Sequence, residues 1–105
     1  MSVLTVTVDN FENEVENCEK PVLLDFWASW CGPCRMVSPT VDEIAEEHPE
    51  YQVCKVNVDE EMELAARFRV MSIPTLVAMK GGKIVDKLIG VHSKDQILEL
   101  IAKAL

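Results

Sequence analysis

Residues 21–35, Pro21-Val22-Leu23-Leu24-Asp25-Phe26-Trp27-Ala28-Ser29-Trp30-Cys31-Gly32-Pro33-Cys34-Arg35, pass from an almost unbroken apolar run into two closely spaced thiols. An apolar run of this length, broken by a single charge, reads as a strand covered on both faces. Beyond it, Val37, Val41, Ile44 and Ala45 fall at the spacing of one helical face. Cys31 and Cys34 therefore open a helix that follows a buried strand. First-turn N–H groups lack backbone partners and the helix dipole favours negative charge, so a thiol placed there ionises below its free pKa of about 8.5. The thiolate is the species that attacks a disulfide, and the placement favours redox chemistry. Cys31, ahead of the first turn, is the better nucleophile, and Cys34, inside it, is the resolving thiol. Gly32 allows the tight entry, while Pro33 suits the first turn because it has no N–H to waste.

Outward from this stretch, Val3 and residues 5–8 read as a first strand. Phe11, Val15 and Cys18 share one face of a short helix begun by Asp9 or Asn10. Residues 21–28 form the second strand. The helix over residues 33–48 carries Pro39 in its interior, where a missing donor and a ring clash predict a kink, and it ends before Pro49. Residues 53–58 make a third strand, followed by a short helix with Asp59, Glu60 and Glu61 at its start and Leu64 and Phe68 on its inner face. Residues 75–79 and 83–89 flank the Gly81-Gly82 turn as a hairpin. Ser93-Lys94-Asp95-Gln96 is a capping box that opens a last helix, whose Ile97, Leu100, Ile101 and Ala104 face inward. The order βαβαβαββα combines parallel crossovers with an antiparallel hairpin. It predicts an α/β fold, a mixed β-sheet with helices on both faces. In such sheets sites lie at the carboxyl ends of strands, which is where Cys31 falls.

Composition narrows the function. At 105 residues, 49% of them hydrophobic, the chain has core for one domain over residues 1–105 and no room for a second, cofactor-binding one. A formal net charge of −8 argues against nucleic-acid binding, which leans on lysine and arginine. Met1-Ser2-Val3-Leu4-Thr5 lacks a charged segment followed by a long apolar stretch, and no run approaches membrane-spanning length, so a cytoplasmic location is expected. In that reducing compartment closely spaced cysteines are catalytic or metal-binding more often than structural. A metal would need two ligands besides Cys31 and Cys34 from among Cys18, Cys54, His48 and His92, yet there is no second C-x-x-C and no close Cys-His pair. No metal is expected. Cys18 reads as a small core hydrophobe. Cys54 neighbours Lys55 on a strand and so points to the opposite face.

Asp25 calls for its own explanation. A carboxylate inside an apolar strand loses several kcal/mol of hydration unless it is paired or protonated. Lys55, which also interrupts an apolar strand, is its natural partner. Two roles follow: a structural buried ion pair, or a proton acceptor that deprotonates Cys34, directly or through a water.

The segment from Phe26 to Arg35 resembles the active-site segment of the thioredoxin family. Asp25, Pro39, Lys55, Ile73-Pro74-Thr75, the Gly81-Gly82 turn and Gly90 extend the likeness over essentially the whole chain. Arg69, where the family often has glycine, Ser72, and Met79, where an aromatic is common, depart from it in ways that bear on partners more than on chemistry. The resemblance implies a thioredoxin-like fold and a protein-disulfide reductase. In it Cys31 attacks a target disulfide and Cys34 resolves the mixed disulfide, leaving a Cys31–Cys34 bridge. It further implies a cis Ile73–Pro74 peptide, an Ile73 backbone free to pair with an extended substrate, and an apolar rim of Trp30, Gly32, Pro33, Ile73, Pro74, Gly90 and Val91. The chain has no G-x-G-x-x-G fingerprint and should bind no cofactor. Electrons would come from a separate flavoprotein, a thioredoxin reductase using NADPH, to a monomer. Two alternatives stand beside this reading. One is an oxidising or isomerising domain of the same fold; the other is a non-catalytic adaptor that uses the rim while its thiols stay idle.

Overall fold

Apolar segments with strand character pair into one mixed sheet built from β1 (Leu4–Thr5), β2 (Val22–Trp27), β3 (Gln52–Asn57), β4 (Thr75–Lys80) and β5 (Lys83–Ile89). The structure is a computed structural model that describes residues 3–105; the expectation drawn from Met1 and Ser2 lies outside those residues. The strand order is β1-β3-β2-β4-β5. β3 runs parallel to both β1 and β2, whereas β4 is antiparallel to β2 and to β5. The expected α/β fold with a mixed sheet is the one observed.

Alternation along the strands sorts the core into two layers. Val22, Leu24 and Phe26 of β2 face the same way as Cys54 and Val56 of β3. This layer packs on Phe11 of α1 (Val8–Phe11), on Val15 and on Leu64 of α3 (Met62–Arg67). Leu23 and Val53 face the other way, onto Val37, Val41 and Ile44 of α2 (Gly32–Glu47) and Ile97, Leu100 and Ile101 of α4 (Lys94–Ala102). The parity of the strands puts Asp25 and Lys55 on the α2 side of the sheet and Cys54 on the far side.

The amino-terminal segment differs from expectation. The first strand stops at Thr5, and Thr7 rather than Asp9 or Asn10 caps the helix. Asn10 is the cause: its Oδ1 accepts from the Thr7 N–H at 2.8 Å and its Nδ2 donates to the Thr5 carbonyl at 3.0 Å, so one amide takes up the groups a longer strand would have paired. A π-helical turn, Glu12–Glu16, follows. Cys18 consequently lies just past the helix, half-buried against the layer that holds Phe11 and Val15. Phe68 is likewise not inside α3 but at its carboxyl cap, where its ring meets Phe11 and Phe26 at centroid distances of 5.8 and 5.2 Å.

The hairpin-turn and helix-cap signals read from the sequence are met closely. Gly81 and Gly82 have φ of 59° and 78°, the pair of positive values that a two-residue hairpin turn needs. Ser93 and Gln96 form the capping box of α4. α2 continues through Pro39 as one helix. Among the described residues, no helix is long and apolar enough to cross a membrane.

Candidate active site

The carboxyl end of β2 runs through Ala28 into the first turn of α2, and the two cysteines sit at that junction. Cys31 is the N-cap of α2, with extended backbone at φ −88° and ψ 110°. Its Sγ accepts the Cys34 backbone N–H at 3.1 Å, one of the donors that a helix start leaves without a carbonyl. Cys31 and Cys34 are joined by a disulfide with a Cα–Cα separation of 5.2 Å. Both are nearly covered, at 4% and 3% exposed, in a small cluster with Ala28 against which Trp27, Val58 and Ile73 pack. Gly32 and Pro33, between them, are exposed.

Two further segments converge on the sulfurs. The Ile73–Pro74 peptide is cis, as the resemblance implies, and the Ile73 carbonyl oxygen lies 3.7 Å from Cys31 Sγ. The Gly90 N–H donates to the Pro74 carbonyl at 2.8 Å, which brings the end of β5 beside the proline; Val91, next in the chain, is exposed. Trp30 is 67% exposed, yet its indole N–H donates to Asp59 Oδ2 at 2.9 Å. Asp59 is itself held, because its N–H and that of Glu60 both donate to Asn57 Oδ1.

Beneath the disulfide, Asp25, Trp27, Cys34, Arg35, Ser38 and Lys55 line a cleft of about 120 Å³. Asp25 is 1% exposed and its Oδ1 has no hydrogen-bond partner. Burial pushes its carboxyl up to about 7, against the lowering pull of Lys55 and with a further push from Asp42. Asp25 and Lys55 are register partners on adjacent strands, but the expected direct ion pair is not what Lys55 makes. Its Nζ donates to Ser38 Oγ at 2.5 Å and lies 3.2 Å from Asp42 Oδ1, both on α2. α2 covers this face of the sheet, and its polar groups meet the lysine where it leaves the core.

The remaining thiols are remote from this chemistry. Cys54 is buried on the opposite face of the sheet, where burial pushes its thiol up to about 12, with Cys18 and Glu14 adding to the rise. Among the described residues, no group of three or more His, Cys, Asp or Glu is placed to hold a metal ion.

Reading the sequence missed Ser38, Asp42 and Asp59. The first two were within reach, since Cys34, Ser38 and Asp42 follow one another at four-residue steps along one helical face. Asp59 carried no such signal, because its partner Trp30 lies in another part of the chain.

The model of the family described as Thioredoxin matches residues 2–103. A thioredoxin of Alicyclobacillus acidocaldarius is 47% identical over 105 residues, 99% of either chain. One from Pyropia yezoensis is 50% identical over 104 residues, 98% of this chain and 97% of its own, and thioredoxin 1 of a Nostoc strain is 46% identical over 101 residues, 95% and 94%. Likeness over nearly the full length, joined to a disulfide closed at the cap of α2, has one reading: this chain belongs to the thioredoxin family and is a thiol-disulfide oxidoreductase that reduces protein disulfides.

Proposed function

We propose that residues 1–105 act as one domain in which Cys31 is the attacking thiol, Cys34 the resolving thiol and Asp25 the proton acceptor. The Cys31 thiolate, stabilised by the Cys34 amide, attacks one sulfur of a target disulfide; the target S–S bond breaks and a target thiolate leaves. Cys34 then gives its proton to Asp25 through the cleft and attacks Cys31 Sγ, so the mixed disulfide breaks and a second target thiolate leaves. Two electrons have moved to the target, and the chain is left with its Cys31–Cys34 bridge. The observation that carries this reading is the Cys34 N–H at 3.1 Å from Cys31 Sγ, above a cleft that Asp25 and Cys34 line together. A carboxyl that titrates near 7 can both accept and release a proton at neutral pH. Burial raises that affinity and Lys55, on the next strand, tempers it.

The exposed Trp30, Gly32, Pro33 and Val91, with the half-buried Ile73 and Gly90, form the shallow rim on which a target rests; Pro74, expected in that rim, is buried beneath it. Ile73, two residues ahead of β4, offers its main chain to an extended target segment. A separate flavoprotein reductase using NADPH returns two electrons to the bridge. The protein works as a cytoplasmic monomer, apart from membranes and nucleic acid.

The test is reduction of a protein disulfide with dithiothreitol as the electron source. Cys31→Ser should abolish acceleration over the small thiol, and Cys34→Ser should accumulate a mixed disulfide through Cys31, identified by mass spectrometry. Acceleration that survives Cys31→Ser would remove the assignment. Equilibration with glutathione separates a reductant from an oxidising or isomerising domain.

A further inference from the structure

Asp25 and Lys55 stand in register on adjacent parallel strands and face the same side of the sheet, a placement from which a carboxylate and an ammonium ordinarily pair. They do not pair directly. Lys55 Nζ is engaged by Ser38 Oγ at 2.5 Å and Asp42 Oδ1 at 3.2 Å, while Asp25 Oδ1 is buried without a hydrogen-bond partner. We propose that Ser38 and Asp42 are positioning residues that hold the Lys55 ammonium off Asp25, so that the Asp25 carboxyl stays open to the cleft and to the proton of Cys34. The inference rests on the reading of Asp25 as proton acceptor.

The physical reason lies in what either extreme would do. A carboxylate bonded directly to an ammonium loses proton affinity by one to three units and becomes a poor base. Without any cation, a carboxyl this deeply buried would hold its proton throughout the neutral range and accept none. A lysine kept near but turned aside gives the intermediate case, the one useful to a group that must take a proton and return it each cycle. An ammonium has three donors and no acceptor, so a hydroxyl and a carboxylate on α2 can occupy it without neutralising Asp25. The charged and titratable groups around Asp25 are few: Lys55 from β3, and Cys34, Arg35 and Asp42 from α2, while β4 sets only Leu76 opposite it. Ser38 is the uncharged member of the device. Removing its hydroxyl shifts Asp25 by no direct charge; it acts by releasing the lysine, and the Lys55→Met background separates that from any change in hydration of the cleft that Ser38 also lines.

The experiment is a carboxyl-carbon NMR titration of Asp25 in the full chain with its disulfide closed, which reads the midpoint without turnover. Ser38→Ala should lower the midpoint by about one pH unit. The pH profile of the resolving step should move with it, and Ser38→Thr should restore both. In a Lys55→Met background the same Ser38→Ala change should do nothing. A midpoint that Ser38→Ala leaves unmoved, or moves equally without Lys55, overturns the proposal. Asp42→Asn, at an exposed side chain, is a second and independent probe: its lowering should be larger with Lys55 present than with Lys55→Met, and equal shifts again overturn the proposal. An unchanged resolution rate in Asp25→Asn would defeat the acceptor reading alone, because the titration decides the position of Lys55 without any catalytic step.

Discussion

Trp30 and Asp59 are joined by a 2.9 Å hydrogen bond that fixes an indole otherwise two-thirds open to solvent. The bond orients the largest apolar side chain on the rim. Removing its acceptor with Asp59→Ala should raise the KM for a protein disulfide about fivefold, the equivalent of one net hydrogen bond of about 1 kcal/mol, with kcat unchanged. Asp59→Asn retains an acceptor oxygen and should keep most of the affinity. Steady-state kinetics on both variants checks this.

Asp25 makes stability depend on pH in an unusual direction. Its carboxyl titrates at 3.8 when free and about 7 in the fold, so between these values the folded chain binds more protons than the unfolded one. The contribution of Asp25 to stability is therefore fully present below about pH 4, declines as pH rises, and is lost above about pH 7. Asp25→Asn removes the burden of a buried charge. The variant should gain up to about 4 kcal/mol at about pH 8 and almost nothing at about pH 4, as read from urea unfolding of the disulfide form at both.

Arg69 has φ of 53°, the left-handed region that a side chain disfavours. It closes α3 in a Schellman arrangement, with its own N–H donating to the Ala66 carbonyl and the Val70 N–H to the Ala65 carbonyl. Arg69→Gly keeps both bonds and relieves the β-carbon, at the cost of a freer unfolded chain. A net gain of about 1 kcal/mol and a Tm higher by about 5 °C are expected in thermal unfolding. Arg69→Ala, which retains the β-carbon, should show neither.

Cys54, with its thiol pushed up to about 12, carries only a trace of thiolate at neutral pH. Alkylation of the reduced, folded protein should modify Cys31 first and leave Cys54 untouched until denaturant is added. Peptide mass spectrometry after a timed quench distinguishes the two. Labelling of Cys54 in the native chain at a rate near that of Cys31 would contradict its placement.

Legibility in the sequence followed the range of the interaction. The run from Val22 to Trp27, the Gly81-Gly82 turn and the Ser93–Gln96 box depend on residues a few positions apart, and all three are in the structure as read. The amino-terminal segment went astray because one side chain, Asn10, outweighed the strand propensity of its neighbours. Asp25 and Lys55 were recognised as charges misplaced in apolar strands, and their shared face is as alternation required. That Ser38 and Asp42 share a helical face with Cys34 was legible, but that they engage the lysine was not, since that depends on how α2 lies across the sheet. The bond from Trp30 to Asp59 was beyond reach for the same reason: it joins loops that only the folded sheet brings together.

Pro39, lying within α2, has no amide to give the carbonyl of Arg35. The ladder thereby lacks one rung between the turn that carries the sulfurs and the length beyond, although Val37 on the sulfur side is seated in the same layer as Val41, Ile44 and Ala45. Opening the bridge must move the sulfurs apart, and the missing rung is the place where that adjustment is expected to stop. Deuterium uptake beyond Pro39 should then be alike in both oxidation states, the mark of a carrier whose working tip is mechanically insulated from its frame.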